Sequence, residues 1–210
     1  MSSISFTVGA GHIDRVIPDA GELLHRYRIA TGCFYLDYQP ITPPDVIVPE
    51  DIAVTLLLNS RVGWKAFHSL QEHSKTIDLS CLPLKNLEET SPDERRQIAS
   101  VIATMAQLSG FAASVDTKVL HKKRPDLIPI LDNQAIFGAY MNPDWPQKPA
   151  RTNSIKSLDW IFNALDWIAF DLNRPENASV WINLHSIEPT RSRIQLFDSV
   201  WWMYFRTIQP

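Results

Sequence analysis

Residues 108–140 read LSGFAASVDTKVLHKKRPDLIPILDNQAIFGAY, and this stretch carries most of what the sequence predicts about the fold. A tight connection at residues 109–112 contains a glycine and leads into a helical run over residues 113–123. That helix must end at Arg124, because a proline follows it and disfavours helical backbone there. An apolar run with two prolines then extends to Asp132, where another helix is predicted to start. The pattern therefore predicts two helices joined by a hairpin, followed by an extended lead-in to a carboxylate.

The helix before the hairpin has a clear start signal in Ser91-Pro-Asp-Glu94. Serine can cap the free amides, proline suits the first helical position, and the glutamate can reach back to complete a capping box. An apolar stripe with helical spacing follows, made of Ile98, Val101, Ile102, Met105 and Leu108. We therefore predict a helix, a hairpin and a second helix over residues 92–124.

The rest of the chain is also predicted to be mainly α-helical. Glycines and prolines interrupt an irregular N-terminal segment that contains one helix near residues 19–30. No strand alternation of convincing length is present. Helical periodicity predicts further helices at 49–59, 63–72, 154–172 and 190–206. The helix over 63–72 would place Trp64 and Phe67 in the core, and residues 1–210 would form a single helical domain.

Composition limits the classes of function. With 210 residues, 45% of them hydrophobic, the chain is long enough for one good core. Cys33 and Cys81 lie far apart, and the histidines lack close metal spacing, so we expect no disulfide framework, no metal site and no iron–sulfur cluster. The absence of an apolar run of ~18 residues and of a secretion signal predicts a cytoplasmic protein without a membrane partner. Because the net charge is −3, any DNA contact must come from a local patch.

Residues 108–140 resemble the helix-hairpin-helix DNA glycosylase superfamily, which includes adenine and 8-oxoguanine glycosylases. Pro-Ile-Leu-Asp at Pro129–Asp132 matches the segment that carries the catalytic aspartate in that superfamily, and its distance from the hairpin fits the adenine-glycosylase pattern. The chain is also similar to an uncharacterised bacterial family through Lys118–Asp132 and through a tryptophan-rich motif at Asp198–Trp202. The resemblance implies a helix-hairpin-helix glycosylase-like fold, with the helix-hairpin-helix unit over residues 92–124 and a catalytic segment over residues 125–141.

The resemblance assigns a role to Asp132. Cleavage of an N-glycosidic bond develops positive charge on the sugar, which a carboxylate can stabilise while it orients a water molecule. The base must first leave the DNA stack, and hairpin amides at a helix N-terminus would hold a neighbouring phosphate. Gly110, Ala112 and Ser114 are the expected DNA contacts there, although Ala112 stands where the superfamily usually has a second glycine. The alternative is that Asp132 only caps the helix that follows it.

The resemblance also raises the question of a lysine nucleophile. Bifunctional members carry a lysine just past the hairpin, at the position of Ser114 here, and adenine glycosylases, which are mainly monofunctional, tend to lack it. Lys118 lies one helical turn later on the same face, so it is a candidate catalytic residue; the alternatives are a phosphate contact or a solvated side chain. The neighbouring Lys122, Lys123 and Arg124 are predicted DNA contacts, or else an ordinary solvated helix end.

Together these patterns predict a monomeric, monofunctional DNA glycosylase that acts on double-stranded DNA without a cofactor or metal. Its substrate would be an oxidised or alkylated purine in repair, or a hypermodified cytosine in foreign DNA in defence. Tyr35, Asp37, Asn133 and Gln134 are candidate residues of the substrate pocket. The tryptophans Trp160, Trp167, Trp201 and Trp202 would stack on the flipped base or lie in the core. The alternatives are an inactive DNA-binding module that keeps the hairpin, and an interaction protein that binds no nucleic acid.

Overall fold

The computed structural model describes residues 5–58, 60, 62–73, 77–148 and 154–208. The chain is mainly α-helical, as predicted. The α-helices are α1 (Ala20–Thr31), α2 (Phe34–Asp37), α3 (Trp64–His73), α4 (Pro92–Ala106), α5 (Ala113–Lys123), α6 (Leu158–Asn173), α7 (Ala178–Ile187) and α8 (Arg193–Ile208). Shorter 3-10 helices span Pro49–Leu58, Leu87–Glu89 and Pro175–Asn177, and a π-helix spans Asn133–Tyr140. Helix α7 was not predicted, and the predicted helix over 49–59 is a 3-10 helix.

The N-terminal segment contains a small antiparallel sheet that the sequence did not predict. Strand β1 (Phe6–Val8) pairs with β2 (Arg15–Ile17), with Phe6 opposite Ile17. The connection is fastened to α6, because the amides of Gly9 and Ala10 donate to the carboxylate of Asp171 at 2.6 and 3.0 Å. The strands are three residues long, too short for a recognisable alternation of polar and apolar side chains.

Helix α4 begins as predicted and lies at the centre of the fold. Ser91 Oγ accepts a hydrogen bond from the Glu94 amide, and a Glu94 carboxylate oxygen accepts one from the Ser91 amide at 2.7 Å, which completes the capping box. Its buried face, formed by Ile98, Ala99, Ile102, Met105 and Ala106, packs against α5 and α6. This packing fixes α5, the helix that carries Lys118, against the core.

Helix α3 buries Leu70 of its predicted apolar stripe but exposes the other two residues of that stripe. Trp64 and Phe67 are 74% and 45% exposed, so their placement in the core was wrong. The helix instead buries Ala66, Ser69 and Leu70, because small side chains allow a close approach to the hairpin at Gly110. None of the helices in the described ranges has both the length and the apolar character needed to span a bilayer.

Candidate functional site

The lead-in to Asp132 is held along one side by polar side chains of α5. Leu131 N donates to Thr117 Oγ1 at 2.9 Å, and His121 Nδ1 lies 2.7 Å from the Ile128 carbonyl oxygen. Burial lowers the pKa of His121 to about 4, so the ring is neutral and its Nδ1–H donates to that carbonyl. These bonds satisfy backbone groups that the extended segment cannot pair within itself. Sequence reasoning missed both residues, although two polar side chains one turn apart on a buried helix face were a usable signal.

Helix α8 holds the same segment on either side of Asp132. Asp198 Oδ2 accepts a hydrogen bond from the Ile130 amide at 3.0 Å, two residues before Asp132. Trp201 Nε1 donates to the Ala135 carbonyl at 2.7 Å, three residues after it. Burial raises the pKa of Asp198 to about 8, and the Ile130 hydrogen bond offsets this only in part. The signal for Asp198 was its place in the motif Asp198–Trp202, but no role was predicted for it.

Asp132 caps the π-helix with one oxygen only. Its Oδ1 accepts hydrogen bonds from the amides of Gln134 and Ala135 at 2.8 and 3.0 Å. The backbone carbonyl of Asp132 accepts from the Ile136 amide at 2.9 Å and from the Phe137 amide at 3.3 Å. The Asp132 side chain is 32% exposed. Capping therefore leaves Oδ2 available for a further interaction. Helix capping by Oδ1 is thus compatible with a separate role for Oδ2.

Lys118 provides that interaction. Its Nζ lies 3.9 Å from Asp132 Oδ2 and donates to Ser60 Oγ at 2.8 Å, with 11% of the side chain exposed. Burial lowers the pKa of Lys118, while the charge of Asp132 acts in the opposite direction. The structure thus brings together the two residues predicted to be catalytic. Ser60, which the sequence did not single out, orients the amine.

The hairpin is in the predicted place and packs closely against α3, while Ser109 and Gly110 remain exposed. Gly110 has a φ of +85°, and a Cβ added to it would lie 2.9 Å from the backbone nitrogen and Cβ of Ala66. The Ser109 amide donates to Ser69 Oγ at 3.1 Å. Ala112 and Ser114 are buried, so in this structure they do not face a DNA backbone. Ala112 has an extended φ of −166°, so the missing second glycine costs no backbone strain.

Lys122 is buried and bound to the C-terminal end of α2. Its Nζ donates to the carbonyls of Leu36 and Tyr38 at 3.0 and 2.9 Å and lies 4.6 Å from the centre of the Tyr35 ring. Burial lowers the pKa of Lys122 to about 8. Its predicted contact with a phosphate therefore does not fit its position, because protein carbonyls and a ring already surround the amine.

Lys123 and Arg124 are likewise committed to protein partners. Lys123 Nζ pairs with Asp51 Oδ2 at 2.9 Å, with the two side chains 1% and 4% exposed, and it also donates to the Pro43 carbonyl. Arg124 donates to the Pro44 carbonyl at 2.9 Å and pairs with Asp45. These contacts anchor the irregular N-terminal segment to α5. The sequence predicted that the cluster would contact DNA or face solvent, whereas in the structure its charges are paired within the protein.

The four candidate pocket residues separate into two groups. Tyr35 is buried beneath the site, where its hydroxyl donates to the Lys118 carbonyl at 2.6 Å, and Asp37 pairs with Arg191 instead of joining Asp132. Asn133 and Gln134 follow Asp132 directly, and Gln134 is exposed. Asn133 Oδ1 is buried without a hydrogen-bond partner among the described residues. The residues near the carboxylate are therefore the two that follow it.

Two cavities lie elsewhere on the molecule. One of about 470 Å³ is lined by residues that include Lys85, Asn86, Arg124 and Asp126, and one of about 410 Å³ by residues that include Asn86, Asn173, His185 and Arg193. Neither is lined by Lys118 or Asp132. The described residues contain no group of three or more histidine, cysteine or acidic side chains placed to bind a metal ion.

Comparison with known proteins gives one match. A family model described as "Family of unknown function (DUF6308)" matches residues 20–205, a range that includes Lys118, Asp132 and Asp198. No curated protein and no solved structure matches the chain. The chemistry of the site must therefore be argued from its own residues.

Proposed function

The chain belongs to the DUF6308 family, whose description names no activity, and we propose that it is a DNA glycosylase that hydrolyses the N-glycosidic bond of a damaged or modified base. The observation that carries the proposal is the distance of 3.9 Å between Lys118 Nζ and Asp132 Oδ2, at the end of a lead-in held by α5 and α8. The substrate class comes from the resemblance of residues 108–140 to helix-hairpin-helix glycosylases. The product is an abasic site.

Asp132 is the group that acts on the sugar. As the base leaves with the bonding electron pair, positive charge develops at C1′, and Oδ2 stabilises it or accepts a proton from the attacking water. Oδ1 stays bound to the amides of Gln134 and Ala135, so the carboxylate cannot rotate freely. Its side chain is 32% exposed, so the carboxylate can be reached from solvent.

Lys118 acts beside this carboxylate. In the hydrolytic route its ammonium fixes Oδ2 and contacts the extruded nucleotide, and water supplies the oxygen that bonds to C1′. Burial lowers the pKa of Lys118, which favours a second route. In that route the deprotonated amine bonds to C1′ as the base leaves with the bonding electron pair, the sugar ring opens to a Schiff base, and elimination of the 3′ phosphate cleaves the strand. The position of Ser114 matches the monofunctional pattern, so we assign hydrolysis as the main route.

The proposal does not use the basic cluster as a DNA clamp. Lys122, Lys123 and Arg124 bind the N-terminal segment, and their charge is already shared with carbonyls and carboxylates. The same reasoning counts against an inactive module that grips phosphate through the hairpin, because the Ser109 amide is bonded to Ser69 Oγ. Phosphate binding through hairpin amides also requires no carboxylate beside an amine.

A screen of DNA duplexes that contain different damaged or modified bases tests the proposal. The protein is incubated with each duplex, and mild alkali then converts abasic sites into strand breaks. We expect breaks with at least one base for the wild type and for Asp126→Asn, a matched change at an exposed aspartate, but not for Asp132→Asn. Activity that survives in Asp132→Asn removes the assigned role, and a wild type inactive on the whole panel refutes the proposed function.

A further inference from the structure

The tryptophan-rich motif Asp198–Trp202 is not a base-stacking platform at Trp201. That side chain is 1% exposed and is enclosed by other rings, with centroid distances of 5.5 Å to Tyr140 and 5.6 Å to Trp145. A flipped base has no access to its faces. The motif therefore needs a different explanation, and its polar atoms provide one.

Two polar groups of the motif reach the backbone on both sides of Asp132. Asp198 Oδ2 accepts from the Ile130 amide at 3.0 Å, and Trp201 Nε1 donates to the Ala135 carbonyl at 2.7 Å. Asp198 and Trp201 are separated by less than one turn of α8, so a single rigid helix makes both contacts. Asp132 thus lies in a short segment, residues 130–135, whose two ends are both hydrogen-bonded to α8.

We propose that Asp198 and Trp201 are positioning residues that hold the Asp132 carboxylate in its reactive orientation, an inference that rests on the proposed glycosylase function. A reacting group must be held within about 0.5 Å of its productive position, and a displacement of about 1 Å can lower the rate about 100-fold. Thr117 and His121 hold the lead-in only before Asp132. The two α8 contacts restrain the backbone on both sides.

Conservative variants separate positioning from other roles. Asp198→Asn keeps an oxygen that can accept from the Ile130 amide, whereas Asp198→Ala removes it. Trp201→Phe keeps an aromatic ring but removes the donor to Ala135. Trp181→Phe is the matched control, because Trp181 is a buried tryptophan of α7 that packs edge-on against Phe6 of β1.

Single-turnover base excision and DNA affinity are the first readouts. We expect Asp198→Ala and Trp201→Phe to lower the excision rate at least about tenfold with DNA affinity within about twofold of wild type. Asp198→Asn and Trp181→Phe should stay near the wild-type rate. Wild-type rates in both Asp198→Ala and Trp201→Phe would overturn the inference. So would an Asp198→Asn variant as slow as Asp198→Ala, since that result would give the carboxyl a role in proton transfer.

Hydrogen exchange measured by mass spectrometry keeps this test separate from the proposed function. Amides in residues 130–136 should exchange faster in Asp198→Ala and Trp201→Phe than in the wild type, while those of α4 exchange at an unchanged rate. A wild type that excises no base refutes the glycosylase proposal, yet exchange still reports whether α8 restrains the segment. Unchanged exchange in both variants would overturn the positioning role whatever the activity.

Discussion

Lys118 Nζ and Asp132 Oδ2 approach each other to 3.9 Å while each side chain is oriented by a separate partner. Ser60 Oγ accepts from the amine, and the amides of Gln134 and Ala135 donate to the other carboxylate oxygen. This distance is longer than that of a direct hydrogen bond. The two charges can therefore attract each other while both groups remain able to contact a third group. This arrangement distinguishes the site from an ordinary helix cap.

Removal of the Lys118 amine should slow base excision without abolishing DNA binding. We expect Lys118→Ala to reduce the single-turnover rate about 10- to 100-fold, because Oδ2 loses its cationic neighbour. Lys148→Ala, at an exposed side chain, is the control and should have no effect. Borohydride added during the reaction separates the routes: hydrolysis gives no covalent protein–DNA adduct, and an adduct that disappears in Lys118→Ala would establish the Schiff-base route instead.

Gly110→Ala should destabilise the protein by about 1–3 kcal/mol. An alanine at a φ of +85° is strained, and its Cβ would clash with Ala66 of α3. Gly63→Ala is the matched control, since an added Cβ there meets no atom of the described residues within 4 Å, and we expect it to change stability by less than about 0.5 kcal/mol. Urea denaturation measures both. Equal stabilities for the two variants would contradict the close packing of α3 on the hairpin.

Asp198→Asn should stabilise the protein more as the pH rises. The folded protein keeps the Asp198 proton up to a pKa of about 8, whereas the unfolded chain loses it near 3.8. Stability is therefore lost progressively between about pH 4 and 8, and Asn abolishes this loss. We expect the variant to exceed the wild type by more than about 1 kcal/mol at pH 9 and to match it near pH 4. A difference independent of pH would contradict the raised pKa.

Lys123→Met should reduce stability rather than DNA affinity. The change leaves Asp51 buried without its cation, which costs about 3–5 kcal/mol, and the double variant with Asp51→Asn should recover part of the loss. A lysine on a phosphate would instead contribute about one unit to the slope of log affinity against log salt. We expect that slope to be unchanged. A variant of normal stability with a reduced slope would show that Lys123 contacts DNA.

Local signals in the sequence predicted much of the helical framework. Short-range features gave the boundaries of two helices. The capping box at Ser91 marks the start of α4, and the proline after Arg124 marks the end of α5. These predictions of helix boundaries succeeded because they depend on neighbours within a few residues. The spacing of Lys118 from Ser114 indicated only that the amine could reach toward the pocket, and its Nζ lies 3.9 Å from Asp132 Oδ2.

Contacts between distant parts of the chain could not be predicted from local sequence patterns. Lys123 pairs with Asp51 from the N-terminal segment, and neither residue marks the other as a partner. Periodicity shows that α3 has two faces but not which one is covered, so Trp64 was assigned to the core while Ala66 is the residue that packs. The buried state of Asp198 likewise depends on how α8 meets the lead-in.

Direct measurement of the released base from a duplex identified in the screen tests the central claim most directly. Under single-turnover conditions, mass spectrometry should detect the free base with the wild type, and Asp132→Asn should release it at least about 100-fold more slowly while it binds the duplex with similar affinity. Release at the wild-type rate by Asp132→Asn would contradict the assignment of this carboxylate as the group that acts on the sugar.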